Sequence, residues 1–173
     1  MSIPVAQLVA DLDLLVADYQ AGVFRYLCRF LGQRDTARDL TQEVFLRLSR
    51  AGVPDTSSDG QRAWIFRIAR NLAINHVRDR RRHGAVVELI DVERPATQEL
   101  ALSLDQALAS LGDLDREVFL LRESAGLTYG EIASACEITE DAVRARLRRA
   151  RVELRTQLEP SLATQRGRGI RFT

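Results

Sequence analysis

Six arginines, Arg144, Arg146, Arg148, Arg149, Arg151 and Arg155, fall within one short stretch in which Glu153 is the only acid. A guanidinium is a permanent cation with a planar fork of donors, suited to phosphate oxygens and to the guanine edge in a major groove. The chemistry on offer is recognition of a polyanion. A second concentration, residues 62–82 (RAWIFRIARNLAINHVRDRRR), carries seven Arg against Asp79 and adds Trp64, Phe66 and Asn71. Arg for phosphate, rings for stacking and an amide for base edges are what single-stranded nucleic acid requires. Trp64 is equally suited to a core or helix-junction position, because a lone Trp is usually well buried. The run Arg80, Arg81, Arg82 would also arise as a helix end favoured by the macrodipole. That explanation leaves Arg62, Arg67 and Arg70 unaccounted for.

Residues for bond-making are sparse. Two His (His76, His83) and two Cys (Cys28, Cys136) stand at no close ligand spacing, so neither a metal nor another cofactor is expected. No Walker-type loop, nucleophile triad or carboxylate constellation has recognisable spacing, which argues against an enzyme acting on DNA. Each Cys lies in an apolar pattern and reads as a buried free thiol, which suits a reducing compartment. Asp11 and Asp13 interrupt any N-terminal apolar region, and no apolar run approaches membrane-spanning length. The expectation is a soluble, cytoplasmic protein without membrane insertion.

The formal net charge of +1 conceals a division along the chain. All 25 basic residues are Arg, and residues 88–123 carry nine acids against Arg94, Arg116 and Arg122. Two basic patches flanking an acidic middle predict two separate contacts with a polyanion.

The elements that must position these groups follow from apolar periodicity. Thr128 and Glu131 have capping-box spacing and predict a helix start, with Ile132 and Ala133 facing inward. Cys136-Glu137-Ile138 breaks the pattern, and Thr139 can cap a second helix with Glu140 and Asp141 in its positive first turn. There Val143, Leu147, Ala150, Leu154 and Leu158 recur at helical steps and form one buried stripe, with the arginines off it. Two helices joined by a tight turn, the second basic, predict a helix-turn-helix whose second helix fits the major groove. A merely solvated face would normally mix its charges.

Upstream, Val9, Leu12, Val16, Tyr19, Val23, Leu27 and Phe30 predict a helix ending near Gly32. Asp35 opens another, with Ala37, Leu40, Thr41, Val44, Phe45 and Leu48 inward and Arg38, Asp39, Gln42, Glu43 and Arg47 outward. Residues 51–61 read as a loop, and 62–82 as the basic helix. Residues 84–99 read as an acidic linker between two domains. Leu100, Leu104, Leu108 and Leu111 mark a helix to Gly112; Asp113 caps the next, which runs to Gly126. Pro160 is expected to stop helical structure, leaving 160–173 as a disordered basic tail. The fold class is all-α: two small helical domains joined by a flexible linker, divided as 1–83, 84–99, 100–159 and the 160–173 tail.

Three stretches in this order, DLTQEVFLRL (39–48), RAWIFRIARNLAINHVRDRRR (62–82) and LTYGEIASACEITEDAVRARLRRAR (127–151), resemble bacterial RNA polymerase sigma factors of the extracytoplasmic-function (ECF) group in the sigma-70 family. The resemblance covers nearly all of the chain except the tail. It implies a factor that binds core RNA polymerase and directs promoter-specific initiation by recognising −35 and −10 elements and promoting melting. By that resemblance Asp39, Gln42, Glu43 and Arg47 would dock on the β′ coiled coil. Trp64, Arg67, Arg70, Asn71 and Arg78 would serve −10 recognition and melting, with Asn71 at the pocket for a flipped base. Arg144, Ala145, Arg148 and Arg149 would read −35 bases, with Arg146 and Arg151 on phosphates. The implied partners are core RNA polymerase (β′ coiled coil and β subunit), promoter DNA and an anti-sigma factor. Three features depart from the pattern: Asn75 stands where many relatives have Asp, the 51–61 loop lacks the aromatic that some relatives carry, and Glu137 replaces the glycine common in general helix-turn-helix turns, although polar residues occur there in this family. The alternative function is an autonomous helix-turn-helix repressor or activator, which would need a dimer helix that the pattern does not offer.

Overall fold

Apolar residues one helical turn apart close the first unit around a three-helix core. The computed structural model describes residues 5–52, 57–82 and 98–168. Helix α1 (Val5–Leu31) turns Leu15, Val23, Tyr26, Leu27 and Leu31 inward. It ends at Gly32, whose φ of 70° suits a residue without Cβ and whose N–H donates to Cys28 O at 2.9 Å. Helix α2 (Arg34–Ala51) buries Ala37, Thr41, Val44 and Leu48 at steps of four, three and four. The Thr41 hydroxyl donates to Ala37 O at 2.6 Å, so it enters the core without an unpaired polar atom.

Helix α3 (Ser58–Arg82) begins four residues earlier than its apolar pattern predicts. The Ser57 hydroxyl accepts from Gly60 N at 3.3 Å, a cap that converts the Ser-Asp-Gly stretch from loop to first turn. Ala63, Ile65, Phe66, Ala69, Leu72 and Ala73 are buried, and the Phe66 ring meets Tyr26 edge-on at 6.1 Å.

Helices α4 (Gln98–Ser110), α5 (Asp113–Glu123), α6 (Tyr129–Cys136) and α7 (Glu140–Arg168) form the second unit. The expected stripe of α7 is buried at Val143, Leu147, Ala150 and Leu154, with Leu158 half-buried. Asp113 is the first residue of α5 rather than its cap; Gly112 holds the cap position and has no side chain to supply a capping bond. Helix α7 passes through Pro160 to Arg168 instead of stopping. A proline costs a helix one backbone bond and about 3 kcal/mol. Good helix formers on both sides, among them Leu158 and Glu159 before and Leu162 and Ala163 after, carry the helix past it. The linker expected at 84–99 lies outside the described residues up to 97, as does the tail beyond 168.

The two units are not held apart. Helix α6 lies along α3 and α5 meets α1, so one continuous apolar cluster runs from Val23 and Phe66 to Ile132 and Leu147. Tyr26 sits at this seam, fully buried, and its hydroxyl has no hydrogen-bond partner among the described residues. Leaving such a group unpaired costs about 1–3 kcal/mol.

Candidate nucleic-acid interface

The helix-turn-helix is built by local bonds. The Thr128 hydroxyl accepts from Glu131 N at 3.3 Å while Glu131 Oε2 accepts from Thr128 N at 2.6 Å, completing the capping box. Between α6 and α7 the chain reverses through Glu137, whose φ of 57° and ψ of 43° are left-handed. Ile138 N then donates to Ala133 O at 3.0 Å, and Thr139 Oγ1 accepts from Ala142 N at 3.2 Å to start α7. The turn and both caps lie where the residue types place them.

The arginines of α7 spread around the helix off its buried stripe, and most meet an acid. Asp115 on α5 gathers two of them: Arg146 Nη1 donates at 2.8 Å and Arg149 donates through Nε and Nη2 at 2.9 and 3.1 Å. The hydrogen bond from Arg149, joined by that from Arg146, holds the Asp115 carboxyl below the ordinary aspartate range against the opposing effect of burial. Arg146 is half-buried and so pins α7 to α5, while Arg149 is exposed. Arg144 pairs with Asp141 at 2.6 Å and Glu140 at 3.2 Å and lies over the Tyr129 ring at 5.8 Å. Arg151 pairs with Glu123 at 3.0 Å. Ala145, Arg148 and Arg155 are exposed, and neither arginine has an ion pair among the described residues. Asp115 and Glu123 were invisible to a reading of α7 alone; their signal was the run of acids on α5.

On α3 the residues divide. Trp64, Arg67, Asn71, Asn75 and Arg78 succeed one another at steps of three or four and form one ridge. Trp64 is half-buried against the core, Arg67 is intermediate, and Asn71 and Arg78 are exposed. Arg78 Nη2 donates to Asn75 Oδ1 at 2.9 Å, so the neutral amide supplies an acceptor on this ridge. Arg70 stands off this ridge. Its Nη2 donates to Glu117 Oε2 of α5 at 3.1 Å, in an ion pair whose carboxylate is almost wholly buried. Burial raises the Glu117 carboxyl above its ordinary range, and the Arg70 charge offsets only part of that. Arg62, at the same flank, donates to Ala125 O at 2.7 Å and approaches Glu131 Oε1 at 3.7 Å.

The outward face of α2 carries Asp39, Gln42 and Arg47 in solvent and Glu43 half-exposed, with Arg47 Nε donating to Glu43 at 2.7 Å. Leu46, one turn beyond Gln42 and Glu43, is 49% exposed among them. The apolar pattern of α2 left Leu46 out of its inward stripe, and that omission was the available signal.

The cysteines differ. Cys136 is buried at the seam, where burial and the Glu117 charge push its thiol up to about 12. Cys28 is half-buried, with its thiol raised less. No group of three or more His, Cys, Asp or Glu among the described residues is arranged to hold a metal ion, and no helix there is long and apolar enough to cross a membrane.

Two basic helices on two small helical units find counterparts among known proteins. Residues 15–83 match the family described as Sigma-70 region 2, and residues 101–154 match Sigma-70, region 4. The chain is 35% identical over 156 residues to the ECF RNA polymerase sigma factor SigC of Mycobacterium tuberculosis, covering 86% of this chain and 84% of that protein. It is 31% identical over 168 residues to the RNA polymerase sigma-H factor of Pseudomonas aeruginosa, covering 87% of each. Among solved structures, CnrH in complex with the cytosolic domain of CnrY superposes with a TM-score of 0.70 at 26% identity, covering 90% of this chain and 94% of that one. The sigma factor RpoE of Bartonella quintana, in complex with the anti-sigma factor NepR, shares the fold with a TM-score of 0.72 at 22% identity, over 86% of this chain and 97% of that one. With one match over α1–α3, another over the helix-turn-helix unit, and full-length relatives joining them in the same order, the chain belongs to the ECF group of the sigma-70 family of RNA polymerase sigma factors.

Proposed function

We propose that this chain directs core RNA polymerase to promoters bearing a −35 and a −10 element and promotes their melting. The observation that carries this reading is the presence of two basic helices of different character on two units. Helix α7 offers cations to a groove, whereas the α3 ridge alternates cations with a ring and amides, as a single strand needs. The −35 element falls to Arg144, Ala145, Arg148 and Arg149, with Arg151 on phosphate. Arg146, half-buried against Asp115, acts by holding α7 in place. The −10 element falls to Trp64, Arg67, Asn71 and Arg78, with Asn71 receiving the flipped base.

Polymerase docks on the α2 face of Asp39, Gln42, Glu43, Leu46 and Arg47, through the β′ coiled coil; the β subunit completes the contact with core. Catalysis belongs to the polymerase. A regulating anti-sigma factor is a further partner, supported by the presence of NepR on RpoE. The whole reading is tested by in-vitro transcription with purified core polymerase and a promoter library. Initiation at a defined subset of promoters, dependent on this protein, is the expected result. Transcripts that do not depend on the protein, or tight sequence-specific duplex binding by the protein alone, would instead indicate an autonomous regulator.

A further inference from the structure

We infer that a cavity among α1, α3 and α5 binds a small amphipathic carboxylate, its apolar body among Phe30, Ile74, Val77 and Leu114 and its charge on Arg116. None of these five residues belongs to the DNA faces or to the polymerase face.

The cavity has a volume of about 670 Å³, within the range of small-molecule sites. Its apolar walls come from three elements: Phe30 near the end of α1, Ile74 and Val77 on α3, and Leu114 in the first turn of α5. All four side chains are half-buried, so each leaves apolar surface uncovered. A ligand with a hydrocarbon body removes that surface from water.

Arg116 sets the sign of the ligand's charge. Its guanidinium lies 5.6 Å over the Phe30 ring, and Nη2 donates to Phe30 O at 3.0 Å and to Arg29 O at 3.4 Å. Nε, by contrast, is buried without a hydrogen-bond partner among the described residues. Burial holds the group below the ordinary arginine range, and the charges of Asp113 and Asp105 offset only part of that. A guanidinium in this condition favours a carboxylate, whose two oxygens match its fork of donors. Of the acids in the lining, Glu117 is already paired with Arg70, and Asp113 is exposed.

The apolar walls decide between anions. Phosphate would shed its water against four hydrocarbon surfaces, whereas a carboxylate with an alkyl or aryl body brings one charge and covers them. Arg78 and Arg82, also in the lining, add positive potential at the same place.

Octanoate is the probe, titrated into the full-length chain by isothermal titration calorimetry, with 1-octanol, acetate and inorganic phosphate as comparisons. Octanoate is expected to saturate a single site and to raise the melting midpoint as its concentration rises. 1-Octanol keeps the hydrocarbon and lacks the charge, and is expected to bind about tenfold more weakly. Acetate and phosphate are expected to give no measurable binding. Arg116→Gln is expected to weaken octanoate about tenfold and to leave 1-octanol unchanged. Because Arg116 also bonds the carbonyls of α1, Ile74→Trp serves as a variant that keeps the guanidinium. Its indole fills the cavity, and binding of both octanoate and 1-octanol is expected to be lost with the circular-dichroism spectrum unchanged.

Failure of octanoate to saturate, or equal affinity for octanoate and 1-octanol, overturns the site. Undiminished octanoate binding in Arg116→Gln overturns the pairing with Arg116, and undiminished binding in Ile74→Trp places the ligand elsewhere. Octanoate binding that appears only in Leu89→Asp would give the apolar walls to the chain's own 84–97 segment and overturn the ligand.

Discussion

Glu137 is the one non-glycine residue with positive φ among the described residues, and its left-handed backbone closes the turn between α6 and α7. An L-residue with a Cβ pays about 1–2 kcal/mol there, which glycine avoids. Because the side chain is exposed, nothing offsets its removal. Glu137→Gly is therefore expected to raise stability by about 1 kcal/mol, visible as a melting midpoint about 2–4 °C higher. A lower midpoint would mean that the glutamate has a stabilising partner. Asp115 provides a second test at this scale. Its folded-state pKa lies below the unfolded one, so its contribution is complete above the ordinary aspartate range and is lost as pH falls through that range to the depressed value. Chemical denaturation across an acidic pH series is expected to show Asp115→Asn losing less stability with acidification than the wild type. Parallel profiles would show that Arg146 and Arg149 do not hold the carboxylate in solution.

At the scale of the element, α2 and α7 each combine a structural stripe with a working face, and the faces can be separated by mutation. Leu46 is exposed between charged residues, the arrangement of an apolar anchor within a polar rim. Leu46→Asp is expected to weaken binding of core polymerase tenfold or more in a pull-down titration while leaving the circular-dichroism melt unchanged. Full binding would remove Leu46 from the docking face. On α7, Arg149→Ala is expected to abolish −35 preference with core binding intact, because its exposed guanidinium need only exchange Asp115 for DNA. Loss of core binding in the same variant would refute that division.

The same elements show what could be read in advance. The helix-turn-helix was legible because its signals are local: Thr128 and Glu131 are three residues apart, and Val143 to Leu154 repeat at one period. The start of α3 was not, since Ser57 acts through a single cap in a stretch otherwise composed like a loop. Nor was the course of α7 through Pro160, where the surrounding ladder outweighs one missing bond. The partners of Arg70 and Arg62 were out of reach, because Glu117 and Glu131 meet them only through the packing of one unit on the other.

For the whole molecule, that packing joins the two units through one continuous apolar cluster, and its energetics can be probed without touching either DNA face. Tyr26 lies at the middle of the seam, edge-on to Phe66, with its hydroxyl buried and unpartnered. Burial, reinforced by the Glu117 charge, pushes this hydroxyl well above its ordinary pKa, so it stays neutral and gains nothing by ionising. In the folded chain the hydroxyl forfeits its hydrogen bonds to water, and on unfolding it recovers them. Tyr26→Phe deletes the forfeited group and keeps the ring that packs on Phe66. It is therefore expected to stabilise the folded chain by about 1 kcal/mol or more, raising the midpoint of calorimetric unfolding. A lower midpoint would instead reveal a hydrogen bond from that hydroxyl, making the tyrosine a support of the seam rather than a cost borne by it.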